Sequence, residues 1–161
     1  MSGILALAKK AYGLFERAAE ALQPLVLLAA RLYWGWQLFQ SGKGKFGNSG
    51  MVVDYFGTLG LPAPEVTARL ISGLELVGGI LLFLGLASRP IALILTGNMI
   101  GAYWTGDHEA FLSVFSDPDK FQAAAPFVYL CVSVVVLAFG PGSLSLDGLS
   151  SRLLKKSEAK T

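Results

Sequence analysis

Glu75 stands about one third of the way into RLISGLELVGGILLFLGL, an apolar run that begins at Arg69. Asn98 stands inside a second run, IALILTGNMIGAY, and Arg31 near the middle of a third. An ionisable side chain within about 20 apolar residues is costly enough to require a partner or a task. Three arrangements are open to Arg31 and Glu75. They can neutralise each other in a buried pair, a contact that desolvates neither charge alone. They can mark a ligand or proton site, with Arg31 and Asn98 donating to carbonyl oxygens and Glu75 taking up a proton. Or each can reach separately to the surface. On Glu75's run, Ala68, Ser72, Glu75 and Gly79 form a small, polar stripe suited to an interior, opposite Leu70, Leu74, Val77 and Leu81. Tyr129 is a further candidate donor. Lys45 and His108 could guide a polar group at the mouth, and His108 alone titrates ordinarily near neutrality. Gly78, Gly79, Gly97 and Gly101 allow close helix approach, and with Ser72 can leave room for a flat head group.

Other chemistry is poorly served. Asp107, His108 and Glu109 are consecutive, so a helix would point them apart, and TGDHEAFLSVFSDPDK is expected to be a wet loop with no metal. The single cysteine, Cys131, excludes an intrachain disulfide and a cysteine-only metal site, and reads as a packing residue. No nicotinamide or flavin fingerprint, haem attachment motif or paired metal-ligand motif is present. No cofactor is evident from the residues, and no basic patch interleaved with aromatics suggests nucleic acid.

The elements that would position these residues are membrane helices. The composition is 53% apolar and 15% charged, against about 25% charged in a typical soluble domain, and mean hydropathy is +0.57. The runs predict an all-α fold, a transmembrane four-helix bundle with spans at about 23–40, 65–86, 90–104 and 121–139. Apolar spacing through Ile4, Leu7, Ala8, Ala11, Phe15 and Ala18 predicts an N-terminal amphipathic helix, lying at the interface or packed on the body. No cleavable signal peptide is expected there. Pro24 suits the first turn of the next helix. The glycine-rich SGKGKFGNSG is expected to end span one in a turned loop, and residues 51–59 to form a short extramembrane helix. Ser88–Arg89–Pro90 permits only a tight connection, so spans two and three should be antiparallel neighbours. One domain covers 1–145, and 146–161 is a basic tail.

Charge orients the bundle. Lys9, Lys10, Arg17, Arg89, Arg152, Lys155, Lys156 and Lys160 fall on one side, and only Lys43, Lys45 and Lys120 in the opposite loops. The positive-inside rule then places a multi-pass protein in the inner membrane, with both termini cytoplasmic.

The chain from Arg31 to Tyr103 resembles the DoxX-like small membrane proteins. The resemblance is carried by Arg31, Gly35, Phe39, Gly42 and Lys45, then Gly60–Leu61–Pro62, then Glu75–Leu76–Val77–Gly78–Gly79, and then the Gly85–Leu86–Ala87–Ser88–Arg89 hinge. Met99, Ala102 and His108 extend it, while the glycine-rich loop departs from the more apolar approach usual before the family's lysine. The resemblance implies a four-helix membrane protein; relatives include a small subunit of thiosulfate:quinone oxidoreductase. It implies a quinone- or redox-associated subunit, with membrane lipids, a lipid-soluble quinone and a membrane or peripheral oxidoreductase as partners. Two other readings stay open: a non-enzymatic scaffold or chaperone packing on membrane proteins through small-residue faces, and a small-molecule carrier, for which no broken-helix pair is seen. The same faces are compatible with a homo-oligomer, and the residues leave open whether the chain itself is an enzyme.

Overall fold

The computed structural model describes residues 2–158; Lys160 of the expected tail and the side chains of Ile4 and Ala8 lie outside the described residues. The described chain is all-α, without a strand. Two tight helix pairs make the body. In the first, α1 (Ser2–Gly47) packs antiparallel on α3 (Pro64–Leu84). In the second, α4 (Ser88–Thr105) packs on α7 (Pro126–Phe139).

Glycine sets the first pair. A Cβ on Gly35 would lie 2.7 Å from the Phe83 nitrogen, and one on Gly42 or Gly79 would collide with the backbone at Leu76 or Phe39. The two backbones therefore touch, which only residues without a side chain allow. Gly78 instead receives the Leu95 side chain, joining α3 to α4. Leu38, Leu82, Ile91, Ala92, Leu95, Met99, Val132 and Val136 form the core between the pairs.

SGKGKFGNSG, expected as a loop, is helix: α1 runs through it to Gly47, and α2 (Ser49–Thr58) follows after a single break. Gly42 there is a packing position covered by α3, while Gly44, Gly47 and Gly50 face open space. Nor does Pro24 begin a helix. It lies inside α1, so the N-terminal segment continues span one instead of forming a separate interfacial helix or folding back on the body. Its described side chains from Leu5 to Glu20 are exposed, except for the half-buried Gly13. The expected wet loop after Thr105 contains α5 (His108–Leu112) and α6 (Pro118–Ala123), with Ala110 and Ser113 buried. The helix of the expected fourth span begins later than the apolar run suggested, at Pro126, because Ala124 is extended and Phe121 belongs to α6. Phe121 stacks on the buried Tyr103 ring at 4.9 Å, and the Tyr103 hydroxyl donates to the Phe121 carbonyl at 2.7 Å.

The α3–α4 connection is as tight as expected. Gly85 (φ 67°) caps α3 in the left-handed conformation. Its N–H donates to Leu82 O and that of Leu86 to Leu81 O, the two bonds of a Schellman ending. Helix α8 (Leu146–Glu158) then returns to this turn: the Asp147 carboxylate accepts the N–H groups of Ala87 and Ser88 at 2.9 and 2.8 Å. A carboxylate from sixty residues away thus caps α4. Burial alone would raise the Asp147 pKa. The Ser88 and Ala87 hydrogen bonds, with help from the Arg31 charge, outweigh it and hold the carboxyl below the usual carboxylate range.

Large apolar side chains remain exposed around the body, among them Trp36, Leu70, Val77, Leu93, Ile94, Val134 and Phe139. Among the described helices, α3 alone is both long and apolar enough to cross a membrane by itself. Helix α7 is apolar but has 14 residues, about 21 Å of helix.

Candidate functional site

The α1–α3 register decides which charges meet. With Gly35 against Gly79 and Phe83, and Gly42 against Ser72 and Leu76, position 31 faces 85 and position 41 faces 75. Arg31 and Glu75 are therefore about ten residues apart along the pair, roughly 15 Å. The buried Arg31–Glu75 pair is not formed. The expected spans, 23–40 and 65–86, would set the two at similar depth, but α1 overruns its expected end by seven residues, from Gln40 to Gly47, and that moves the register.

Each charge has other partners. Arg31, with no exposed surface, donates from Nη2 to the Leu144 carbonyl at 2.6 Å and lies over Gly85, within the field of Asp147. Its Nε and Nη1 have no partner among the described residues. Glu75, 4% exposed, accepts from Ser41 Oγ at 2.8 Å and from Lys45 Nζ at 2.5 Å. Ser41 and Lys45 are i and i+4 on α1, so one helix face supplies both donors. Neither donor was sought for Glu75 in the sequence. The i, i+4 spacing of a hydroxyl and an ammonium was the available signal, hidden by reading that stretch as a loop.

Toward Glu75 the two helix pairs part and leave a cavity of about 520 Å³. Glu75, Ser41 and Lys45 stand on its α1–α3 wall, Asn98, Gly97 and Gly101 on α4, and Tyr129 on α7. Val52, Phe56, Leu59 and Leu61 close it from the α2 side. Asn98 makes no hydrogen bond to another described residue, and Tyr129, also without one, packs against the core with its ring edge-on to Trp34 at 5.9 Å. Gly97 and Gly101, expected at a helix contact, have nothing within 4 Å of an added Cβ; they widen the cavity instead. A largely apolar chamber with a few converging polar groups suits an organic ligand carrying carbonyl or hydroxyl oxygens.

The remaining expected site residues fall elsewhere. Ser72 is buried at the α1–α3 contact, where its hydroxyl donates to Ala68 O, and it borders a smaller cavity of about 270 Å³ beneath α2. Lys45 stands between the two cavities. His108 is exposed with its ring edge-on to Trp104 at 4.9 Å; its neighbour Asp107, not His108, borders the chamber. Beyond it, the exposed Glu109 accepts from Lys120 at 2.8 Å, a bond that with the Lys120 charge lowers its pKa. No three His, Cys, Asp or Glu side chains converge on a metal position among the described residues.

This all-helical body, with its glycine-clasped helix pair and acid-walled chamber, belongs to the DoxX family, whose sequence model matches residues 26–108, just over half of the chain. The chain is 31% identical over 120 residues to the Bacillus subtilis (strain 168) protein named "Putative oxidoreductase CatD", covering 74% of this chain and 83% of that one. It is 28% identical over 135 residues to "Inner membrane protein YphA" of Escherichia coli (strain K12), covering 79% and 91%. No solved structure matches it.

Proposed function

We propose that the chain is a multi-pass inner-membrane subunit that binds the head group of a lipid-soluble quinone in the Glu75 chamber and serves an oxidoreductase partner. The observation that carries this reading is Glu75 itself: a carboxylate 4% exposed, held by Ser41 and Lys45 on the wall of a largely apolar chamber. Asn98 can donate to a quinone carbonyl, Tyr129 can offer its hydroxyl, and Glu75 with Lys45 can exchange the proton that accompanies reduction. A quinone supplies the electron-accepting chemistry when bound; the chain's own residues bind, orient and exchange protons. The apolar belt on α1, α3, α4 and α7 supports a four-helix body in hydrocarbon, and the names of the two relatives agree with membrane and redox roles. In this reading residues 1–145 form the membrane domain and 146–161 a basic tail, and both termini are cytoplasmic.

The test is titration of a short-tailed ubiquinone analogue into purified protein, read by tryptophan quenching, since Trp34 touches Tyr129. Glu75→Gln and Asn98→Leu should each weaken saturable binding about tenfold, the loss of one or two hydrogen bonds. Arg31→Lys, remote from the chamber, should leave it unchanged. Saturable binding indifferent to both chamber variants in folded protein refutes the site, and no binding at all in native membranes refutes the ligand.

A further inference from the structure

Beyond Gly148, helix α8 is uncovered on all sides: every residue from Leu149 to Lys156 is exposed. Leu146, Leu149, Leu153 and Leu154 are all exposed, and their spacing gathers them on an arc of roughly 140°. Arg152 and Lys156 lie beside one edge of that arc, and Lys155 lies on the opposite face. Asp147, at the other edge of the arc, reaches into the α3–α4 turn, where its carboxylate takes two N–H groups and its own N–H donates to Gly85 O at 3.0 Å. Ser145 Oγ accepts the Gly148 N–H, and Arg31 holds the Leu144 carbonyl. The start of α8 is thus fixed, and its direction is set by the body. Gly140 lies against Arg89 and Gly142 against Pro24 and Leu27, so this fixed point is the end of the bundle away from Glu75, where the basic residues collect.

We propose that α8 is a binding surface for an anionic phospholipid leaflet. The leucines enter the acyl boundary, and Arg152, Lys155 and Lys156 meet lipid phosphates. The idea rests on the membrane reading above and adds a lipid preference to it. Two features favour lipid over a protein partner. The four exposed leucines gather on one arc of the helix, and the part of the helix beyond Gly148 carries three basic residues against one acid, Glu158, as an anionic surface requires. A helix tethered at one end also loses little freedom when its apolar face settles on a surface already beside it.

An environment-sensitive fluorophore on Leu153→Cys, in a Cys131→Ser background, tests this in the full chain. The protein is placed in nanodiscs of phosphatidylcholine alone or mixed with phosphatidylglycerol. In the mixed discs the probe's emission should shift to the blue and acrylamide should quench it less than in phosphatidylcholine. Replacing Arg152, Lys155 and Lys156 by Gln together should lower the ratio of docked to undocked helix by roughly a hundredfold, about fivefold for each charge. Raising salt should act in the same direction. Equal quenching in the two lipids, or an unmoved triple variant, overturns the proposal. Equal protection in detergent micelles overturns it too, in favour of a protein surface. Quenching of the tryptophans by brominated acyl chains in the same discs reports separately whether the body lies in the bilayer, so failure of the membrane reading is told apart from failure of α8 to dock.

Discussion

Removing the Lys45 ammonium, as in Lys45→Met, leaves Glu75 with Ser41 as its one donor in a position whose side chain is 6% exposed. Breaking a buried pair from one side costs about 3–5 kcal/mol. Lys45 itself is 31% exposed, so water already reaches that side of the pair and the loss should be about 2–3 kcal/mol. Glu75→Gln differs in kind. It keeps an acceptor for Ser41, removes the charge that must be desolvated, and frees Lys45 to turn to solvent, for about 1 kcal/mol. The double variant should then cost little more than Glu75→Gln alone, a coupling of about 2 kcal/mol in a double-mutant cycle. Denaturant titration in detergent micelles, followed by tryptophan fluorescence, measures all four corners. The exposed Lys43→Met is the control. If Lys45→Met falls within about 0.5 kcal/mol of that control, the pair does not hold the acid and the reasoning fails. An Arg31→Met and Glu75→Gln cycle should be additive within the same margin, because the two sites share no partner.

Two further outcomes follow from geometry. Gly42→Ala should destabilise the bundle by about 1–3 kcal/mol through overpacking against α3, whereas Gly97→Ala, facing open space, should be neutral or stabilising by up to about 1 kcal/mol; thermal melts of the two variants compare them directly. The Asp147 cap gives a pH dependence. Its folded pKa is depressed, so its stabilisation is present above the ordinary carboxylate range and lost as pH falls through that range toward the folded value. Asp147→Asn should lower stability by about 1 kcal/mol near neutrality and flatten the acid limb of melting temperature against pH; an unchanged acid limb refutes the cap.

Much of this fold is readable in residue order. The apolar runs locate α3 and α4 within two residues, Ser88–Arg89–Pro90 gives their antiparallel turn, and Glu75 stands out by charge alone. Its partners do not, because they depend on whether the glycine-rich stretch breaks the helix or continues it, with Gly42 letting another helix close on it. That choice is made by α3, some thirty residues later, and no local pattern contains it. The same decision sets the register and so separates Arg31 from Glu75. Asn98 and Tyr129 were identifiable as polar groups in apolar runs, but the chamber they border arises where two helix pairs diverge. Gly97 and Gly101 show the difference: small-residue spacing on α4 is identical whether a helix or a space lies opposite.

The bond from Arg31 to Leu144 spans 113 positions, and this has a bearing on synthesis. Glu75 finds Ser41 and Lys45 already made when it leaves the ribosome. Arg31 is translated 113 positions before its carbonyl acceptor, and the nearby Asp147 comes three residues later still. Until then the nascent bundle carries a guanidinium with no protein partner at a position that the finished molecule buries completely. The interior of the first helix is therefore settled only once residues 144–147 have been made. A product cut short before Leu144 keeps an unmet charge at the α3–α4 turn.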